Sequence, residues 1–199
     1  MSSTPLTGHA MPETRSAPSD LAAPARTSRF VAGLLVVQMI VGYEFLWTVV
    51  AKLVHGDFVS GLAADLQDRV QAAPAWYRSF AEHVVIPHAT LFGYLIIAGE
   101  LFVGVVLIAG AIVWLARWGT LTNAGRRGLV IAILLAALAA LAMNLNYHIA
   151  NGAGNPWQIG ETFDEAVDIN TVLTLIDITI VVVMAGMLFS LRRSSARRG

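Results

Sequence analysis

The chain has 199 residues, of which 56% are hydrophobic and only 13% charged. A soluble domain carries about 25% charged residues, so this composition excludes an ordinary soluble fold and points to the membrane. Net charge is zero, with 13 basic and 13 acidic residues, which argues against a nucleic-acid partner held by bulk basicity. Cysteine is absent, so disulfides, thiolate metal sites and thiol relays within this chain are excluded.

Residues 1–29 are rich in Ser, Thr, Pro and Ala, with no apolar run. They lack the apolar stretch of a signal peptide and read as a disordered tail. A hydrocarbon core of about 30 Å needs about 20 apolar residues in a helix. Four segments qualify: 30–54, 90–115, 128–147 and 169–191. None shows the period-2 alternation of a membrane barrel. The expected fold is therefore all-α: an integral membrane four-helix bundle spanning 30–193, with a basic tail at 194–199.

The loop at 55–87 has structure of its own. Leu62, Leu66 and Val70 fall at helical spacing. Pro74 opens a second short segment carrying Trp76, Tyr77 and Phe80, whose aromatics suit an interfacial helix packed on the bundle. Pro87 sits where a helix takes proline, in the first turn. The 116–127 connection is short, so spans two and three should be antiparallel neighbours. Gly152, Gly154 and Pro156 suit the end of the third helix.

Charge sorts the loops. The tail, the 116–127 loop and the C-terminal end hold Arg15, Arg26, Arg29, Arg117, Arg126, Arg127, Arg192, Arg193, Arg197 and Arg198. The other side holds only Lys52, Arg69 and Arg78, with Asp57, Asp65, Asp68, Glu82, Glu161, Asp164, Glu165 and Asp168. Ten basic residues against three is a positive-inside signal. It puts both termini in the cytoplasm and the acidic loops outside. Trp114 and Trp118 fit an aromatic belt at one end of span two.

Ionisable residues inside spans are costly and usually face a bundle interior. Glu44, Glu100 and Asp177 lie well inside, and Lys52 lies near the outer end of the first span. At 100° per residue, each helix collects one polar stripe. Glu44, Thr48, Ala51 and His55 share a face, as do Gly93, Glu100 and Gly104. So do Ala137, Ala140, Asn144 and His148 on the third helix, and Asn170, Thr174 and Asp177 on the fourth. Turned inward, these stripes form a polar pocket in the outer half, with Glu100 at its floor. A purely structural role would pair Glu44 with Lys52 and Asp177 with Asn144. Asn146 points away from Asn144 in a regular helix, so either the helix ends there or Asn146 meets the loop.

Several of these segments together resemble the DoxX-like family, and within it the DoxD-type small membrane subunit of thiosulfate:quinone oxidoreductase. The first helix carries Gly42-Tyr43-Glu44-Phe45-Leu46-Trp47 and then Lys52-Leu53. The loop carries Pro74-Ala75-Trp76-Tyr77-Arg78-Ser79-Phe80, and the second helix Gly99-Glu100-Leu101 and Gly104. The third ends in Asn144-Leu145-Asn146-Tyr147, followed by Asn155-Pro156. The resemblance covers about residues 30–193 and implies a four-helix subunit of a quinone-linked redox complex in a bacterial inner membrane. The absence of cysteine separates the chain from the four-helix vitamin K epoxide reductases, which need a cysteine pair.

Quinone chemistry needs an apolar slot, hydrogen-bond donors at two carbonyls and a proton supply. On this reading Lys52, Asn144 and His148 donate, Tyr43, Trp47 and Tyr94 wall the ring, and Glu44, Glu100 and Asp177 handle protons. The alternative is a membrane anchor or assembly subunit without chemistry, its acids fixing helix register. Expected partners are the lipid bilayer and a second redox subunit or another copy of the chain. A transporter ranks lowest, since four helices are few and no inverted repeat is visible. Haem and metal are not expected. Among His9, His55, His83, His88 and His148 no pair has a specific ligand spacing, and only His55 and His148 suit a bis-histidine site.

Overall fold

A computed structural model describes residues 23–151 and 169–196, with side chains over 30–151 and 169–193. Among the described residues every regular element is helical. Four are long: α1 (Ala23–His55), α4 (Ala89–Arg117), α5 (Asn123–Ala150) and α6 (Ile169–Ala196). All four are long and apolar enough to cross a membrane, so the chain is a multi-pass membrane protein. Two short helices, α2 (Phe58–Arg69) and α3 (Ala75–Phe80), lie between α1 and α4. They cap one end of the bundle. The opposite end, the arginine end, carries Arg117, Arg126, Arg127, Arg192 and Arg193.

The helix boundaries follow local chemistry. Gly56 adopts φ +76° directly after α1, a left-handed conformation that favours glycine, and its N–H returns to the Lys52 carbonyl at 3.2 Å. At the start of α5, the Thr122 hydroxyl accepts the Gly125 N–H at 3.1 Å. α1 begins at Ala23, upstream of the expected start at Phe30, so residues 23–29 extend the helix rather than a tail. Residues 1–22, 152–168 and 197–199 lie outside the described residues. So do the expected loop acids Glu161, Asp164, Glu165 and Asp168, and the Gly152–Pro156 stretch.

From Ala75 to Arg117 the chain is helical almost without a break, but its register changes. Residues Ala81–Val85 form a π turn in which the Ile86 N–H reaches back five residues to the Ala81 carbonyl. A 3₁₀ turn follows at Ile86–His88, and α4 starts at Ala89. Pro87 has no N–H to donate, so a regular α-helix cannot run through this point.

Contacts run α1–α4, α4–α5 and α5–α6, with a lighter α1–α6 contact closing the ring. Neighbours are antiparallel, as side-chain register shows. Gln38 meets Leu107 while Lys52 meets Glu100. Asn144 meets Asp177 while Arg127 meets Leu191. Small residues set the α1–α4 spacing. A Cβ on Gly104 would stand 2.9 Å from the Gly42 carbonyl oxygen and 2.6 Å from Leu46 Cγ. This is the close backbone approach that small residues permit between membrane helices.

The apolar core is built from Leu35, Leu107, Ile133, Ile180 and Met184 among others, all essentially buried. A second cluster joins Val70, Ala73, Tyr77 and Ala81 to Ala150, tying the α2–α3 corner to the end of α5. Large apolar side chains such as Ile40, Leu95, Leu135, Val182 and Phe189 project outward. That surface suits lipid rather than water.

Candidate functional site

The polar stripes do turn inward. Glu100 and Asp177 are wholly buried, with Asn144 and His148 nearly so, while Glu44 is half-buried. They form two neighbouring clusters rather than one open pocket.

The first cluster lies under the cap. Lys52 reaches down from α1 and pairs with Glu100 Oε1 on α4. The Tyr147 hydroxyl on α5 donates to the same oxygen at 2.7 Å. The other oxygen, Oε2, is buried and receives no protein donor. Lys52 Nζ also stands 4.5 Å from the centre of the Phe58 ring and 5.9 Å from that of Tyr147. Two π faces and a carboxylate thus stabilise the only described lysine. The expected Glu44–Lys52 pair is corrected here: the ion pair is Lys52–Glu100. The long lysine stem carries the ammonium inward, to the level of Glu100, instead of along its own helix. Glu44 still lies within electrostatic reach of Lys52 and Glu100, and accepts the Thr48 hydroxyl at 3.3 Å.

The second cluster joins α5 to α6. Asn144 Nδ2 donates to Asp177 Oδ2 at 2.8 Å, the pairing expected from the sequence. Asp177 Oδ1 is buried without a donor. One turn nearer the cap, His148 Nδ1 lies 3.1 Å from the Thr171 hydroxyl. Glu44 is also within electrostatic reach of Asp177.

Between the cap and the bundle is a cavity of about 520 Å³, within the range of small-molecule sites. Its walls include Phe58, Tyr77, Phe80, Phe92 and Tyr147. Lys52 forms part of its inner surface, and Asn146, Asn151 and Asn170 line it. The Tyr77 hydroxyl donates to Asn146 Oδ1 at 3.0 Å, and Arg69 Nη1 donates to Asn151 Oδ1 at 3.4 Å. Both bonds latch the cap onto α5. Each occupies an amide oxygen and leaves the amide N–H groups as donors. Asn146 therefore meets the loop, and α5 continues to Ala150.

The sequence-derived site residues divide accordingly. Lys52 lines the cavity and Glu100 lies directly behind it. Glu44, Asn144, His148 and Asp177 lie deeper or to the α6 side, and none of the four lines the cavity. Tyr43, Trp47 and Tyr94 project from the outer surface, each at least 60% exposed. Tyr43 and Trp47 stack on each other at 6.1 Å there. The rings beside the cavity come instead from α2, α3, α4 and the end of α5. His55 is exposed while His148 is buried against Thr171. Sequence reasoning passed over Tyr147 as a site residue, although it sits between Asn146 and His148, one helical turn from Asn144. It also missed Gln38, wholly buried on the Gly42 face of α1, whose amide donates to the Leu107 carbonyl at 2.7 Å.

Chemically, the site offers an aromatic slot, amide donors, an ammonium and a buried carboxylate. No family model matches the chain, and neither a curated protein nor a solved structure does so.

Proposed function

We propose that the chain is a quinone-binding membrane subunit of a redox complex, of the DoxX-like kind. The observation that carries this reading is the aromatic cavity lying against a buried Lys52–Glu100–Tyr147 cluster. A quinone head is flat, apolar on its faces and an acceptor at two opposed carbonyls. Aromatic walls suit the faces. The Asn146 and Asn151 amides and the remaining Lys52 N–H groups suit the carbonyls. Glu100, next to Lys52 and Tyr147, suits proton delivery to a reduced ring oxygen.

In this reading the arginine end faces the cytoplasm of a bacterial cell and the cap faces outward, as the sorting of arginines and acids favours. Electrons come from a second subunit. The lipid-soluble quinone enters from the bilayer beside α2 and α3.

The test is a fluorescence titration of the purified protein with short-chain ubiquinone and menaquinone analogues in detergent. Saturable binding with one site per chain is expected. Asn146→Leu should weaken it about tenfold, the worth of one hydrogen bond near 1.4 kcal/mol. Absence of saturable binding for both classes of quinone would overturn the reading. A redox protein still retained in pull-down would then favour the anchor role.

A further inference from the structure

The arginine end holds cations without anions. Every described Asp and Glu belongs to the cap or to the polar half of the bundle. The ion pairs among the described residues, Lys52–Glu100 and Arg69–Asp65, also lie there. The chain ends do not redress the balance, since residues 1–29 and 194–199 bring Glu13 and Asp20 against Arg15, Arg26, Arg29, Arg197 and Arg198. Two neighbouring arginines at this end are held very differently. Arg126 lies over the Trp118 ring, which stacks on Trp114 at 3.8 Å, and donates to the Trp118 and Gly119 carbonyls at 3.1 and 3.3 Å. Arg127 instead crosses from α5 to α6 and makes one bond, from Nη2 to the Leu191 carbonyl at 3.3 Å. Its Nε is buried without an acceptor. A guanidinium has five N–H donors, so most of those on Arg127 are unmet. Membrane topology explains why arginines gather on one side. It does not explain why one of them is drawn into a helix seam, against the peptide that joins Leu191 to Arg192.

The surface beneath completes the pattern. Ile131, Leu138 and Leu145 fall within about 40° of Arg127 around α5, and all three are exposed. On α6, Phe189 is exposed one turn before Arg193. Two packed helices thus each carry a cation at the rim of an exposed apolar stripe. We propose that the α5–α6 seam at the arginine end binds one anionic phospholipid, its phosphate held by Arg127, Arg192 and Arg193 and its chains lying on the stripes below. The planar fork of Arg127 suits two phosphate oxygens at once. Arg192 and Arg193 are exposed and paired with no described carboxylate. A free phosphate or a nucleotide would use the cations and leave the apolar stripes idle. A zwitterionic lipid would bring its own ammonium, which the surrounding arginines repel. The bound lipid ties the start of α5 to the end of α6, where the chain itself supplies a single long bond. The site lies at the opposite end of the bundle from the cavity and does not rest on the quinone reading. It also holds for either orientation of the chain in the membrane.

The test is native mass spectrometry of the purified full-length protein, released from micelles holding equal amounts of phosphatidylglycerol and phosphatidylcholine with the same acyl chains. One retained phosphatidylglycerol per chain is expected, with about a tenfold preference over phosphatidylcholine. Equal retention of the two lipids overturns the proposal. Arg127→Gln should weaken retention about tenfold, the scale of one lost charge-assisted bond. Arg126→Gln removes the same charge from the same end, but from a guanidinium that the chain already occupies. It should retain phosphatidylglycerol to within about twofold of the wild type. Equal losses in the two variants would reduce the effect to bulk charge and overturn the site. If Arg127→Gln does not fold, the exposed pair Arg192→Gln, Arg193→Gln tests the same phosphate. That double variant should also weaken retention about tenfold, and unchanged retention overturns the proposal. Inorganic phosphate in large excess separates the two sources of the anion. It should leave the lipid in place, and displacement would mark a free-phosphate site and overturn the lipid assignment. A lipid-free dimer in place of the lipid-bound chain would overturn it too, by giving the stripes to a second copy.

Discussion

Toward the arginine end, the bundle interior is dry. Leu34, Leu35, Leu107, Ala111, Val130, Ile133 and Met184 fill it, and among the described residues Gln38 is the one wholly buried polar side chain there. Toward the cap, the same four helices enclose Lys52, Glu100, Asn144, His148 and Asp177, with a cavity above them. The comparison separates two uses of one architecture. The dry half holds the helices together by packing, without directional bonds. The polar half gives up packing and accepts buried charge, which is costly inside a membrane, and holds its helices by directional bonds. Substitutions should therefore act differently in the two halves.

The largest effect is expected at the ion pair. Lys52→Met removes the cation from a carboxylate with almost no contact with solvent. Breaking a buried pair from one side costs about 3–5 kcal/mol. Thermal unfolding in detergent should show that loss. The double variant Lys52→Met, Glu100→Gln keeps an acceptor for the Tyr147 hydroxyl and removes the stranded charge. It should be clearly more stable than Lys52→Met alone. Additive losses in the cycle would mean that the two residues are not coupled, and the polar half would lose its central contact.

A smaller effect is expected where the two halves join. At Gly104 a Cβ would meet the Gly42 carbonyl oxygen at 2.9 Å, and a backbone atom cannot swing away. Gly104→Ala should cost about 1–3 kcal/mol through overpacking. Gly33, on the same helix as Gly42, has nothing within 4 Å of its Cβ position. Gly33→Ala should change stability by less than about 0.5 kcal/mol. If both variants melt alike, the close α1–α4 approach does not hold the bundle together.

The fold was more legible in the sequence than the site, for a physical reason. Spans are read from length and hydropathy, which are local, and the four long helices lie where those signals placed them. The inward turn of Glu100, Asn144 and Asp177 was also readable, because one helical period and the cost of charge in lipid decide it. Partner choice was not. Lys52 lies eight residues from Glu44 on one helix, yet its ammonium sits on Glu100, because side-chain reach and interhelical register decide the pair. The aromatic assignments show the same limit. Tyr43 and Trp47 flank Glu44 and Thr48 in sequence, yet they and Tyr94 project from the outer surface. The cavity rings Phe58 and Phe80 come from the short helices between α1 and α4, outside the spans where the polar stripes were traced, and Phe92 lies two turns from Glu100 on α4.

The smallest effect is expected at Gln38, and it bears most directly on the contrast between the halves. Its amide donates to the Leu107 carbonyl at 2.7 Å, while its Oε1 is buried with no donor. A buried side-chain hydrogen bond between membrane helices is worth about 0.6 kcal/mol on average. An orphaned acceptor costs energy that partly cancels that gain. Gln38→Leu keeps a similar volume among apolar neighbours and removes both terms. Its melting temperature should match the wild type closely. A marked loss of stability would make the dry half dependent on a directional bond. That result would erase the distinction between a half held by packing and a half held by directional bonds.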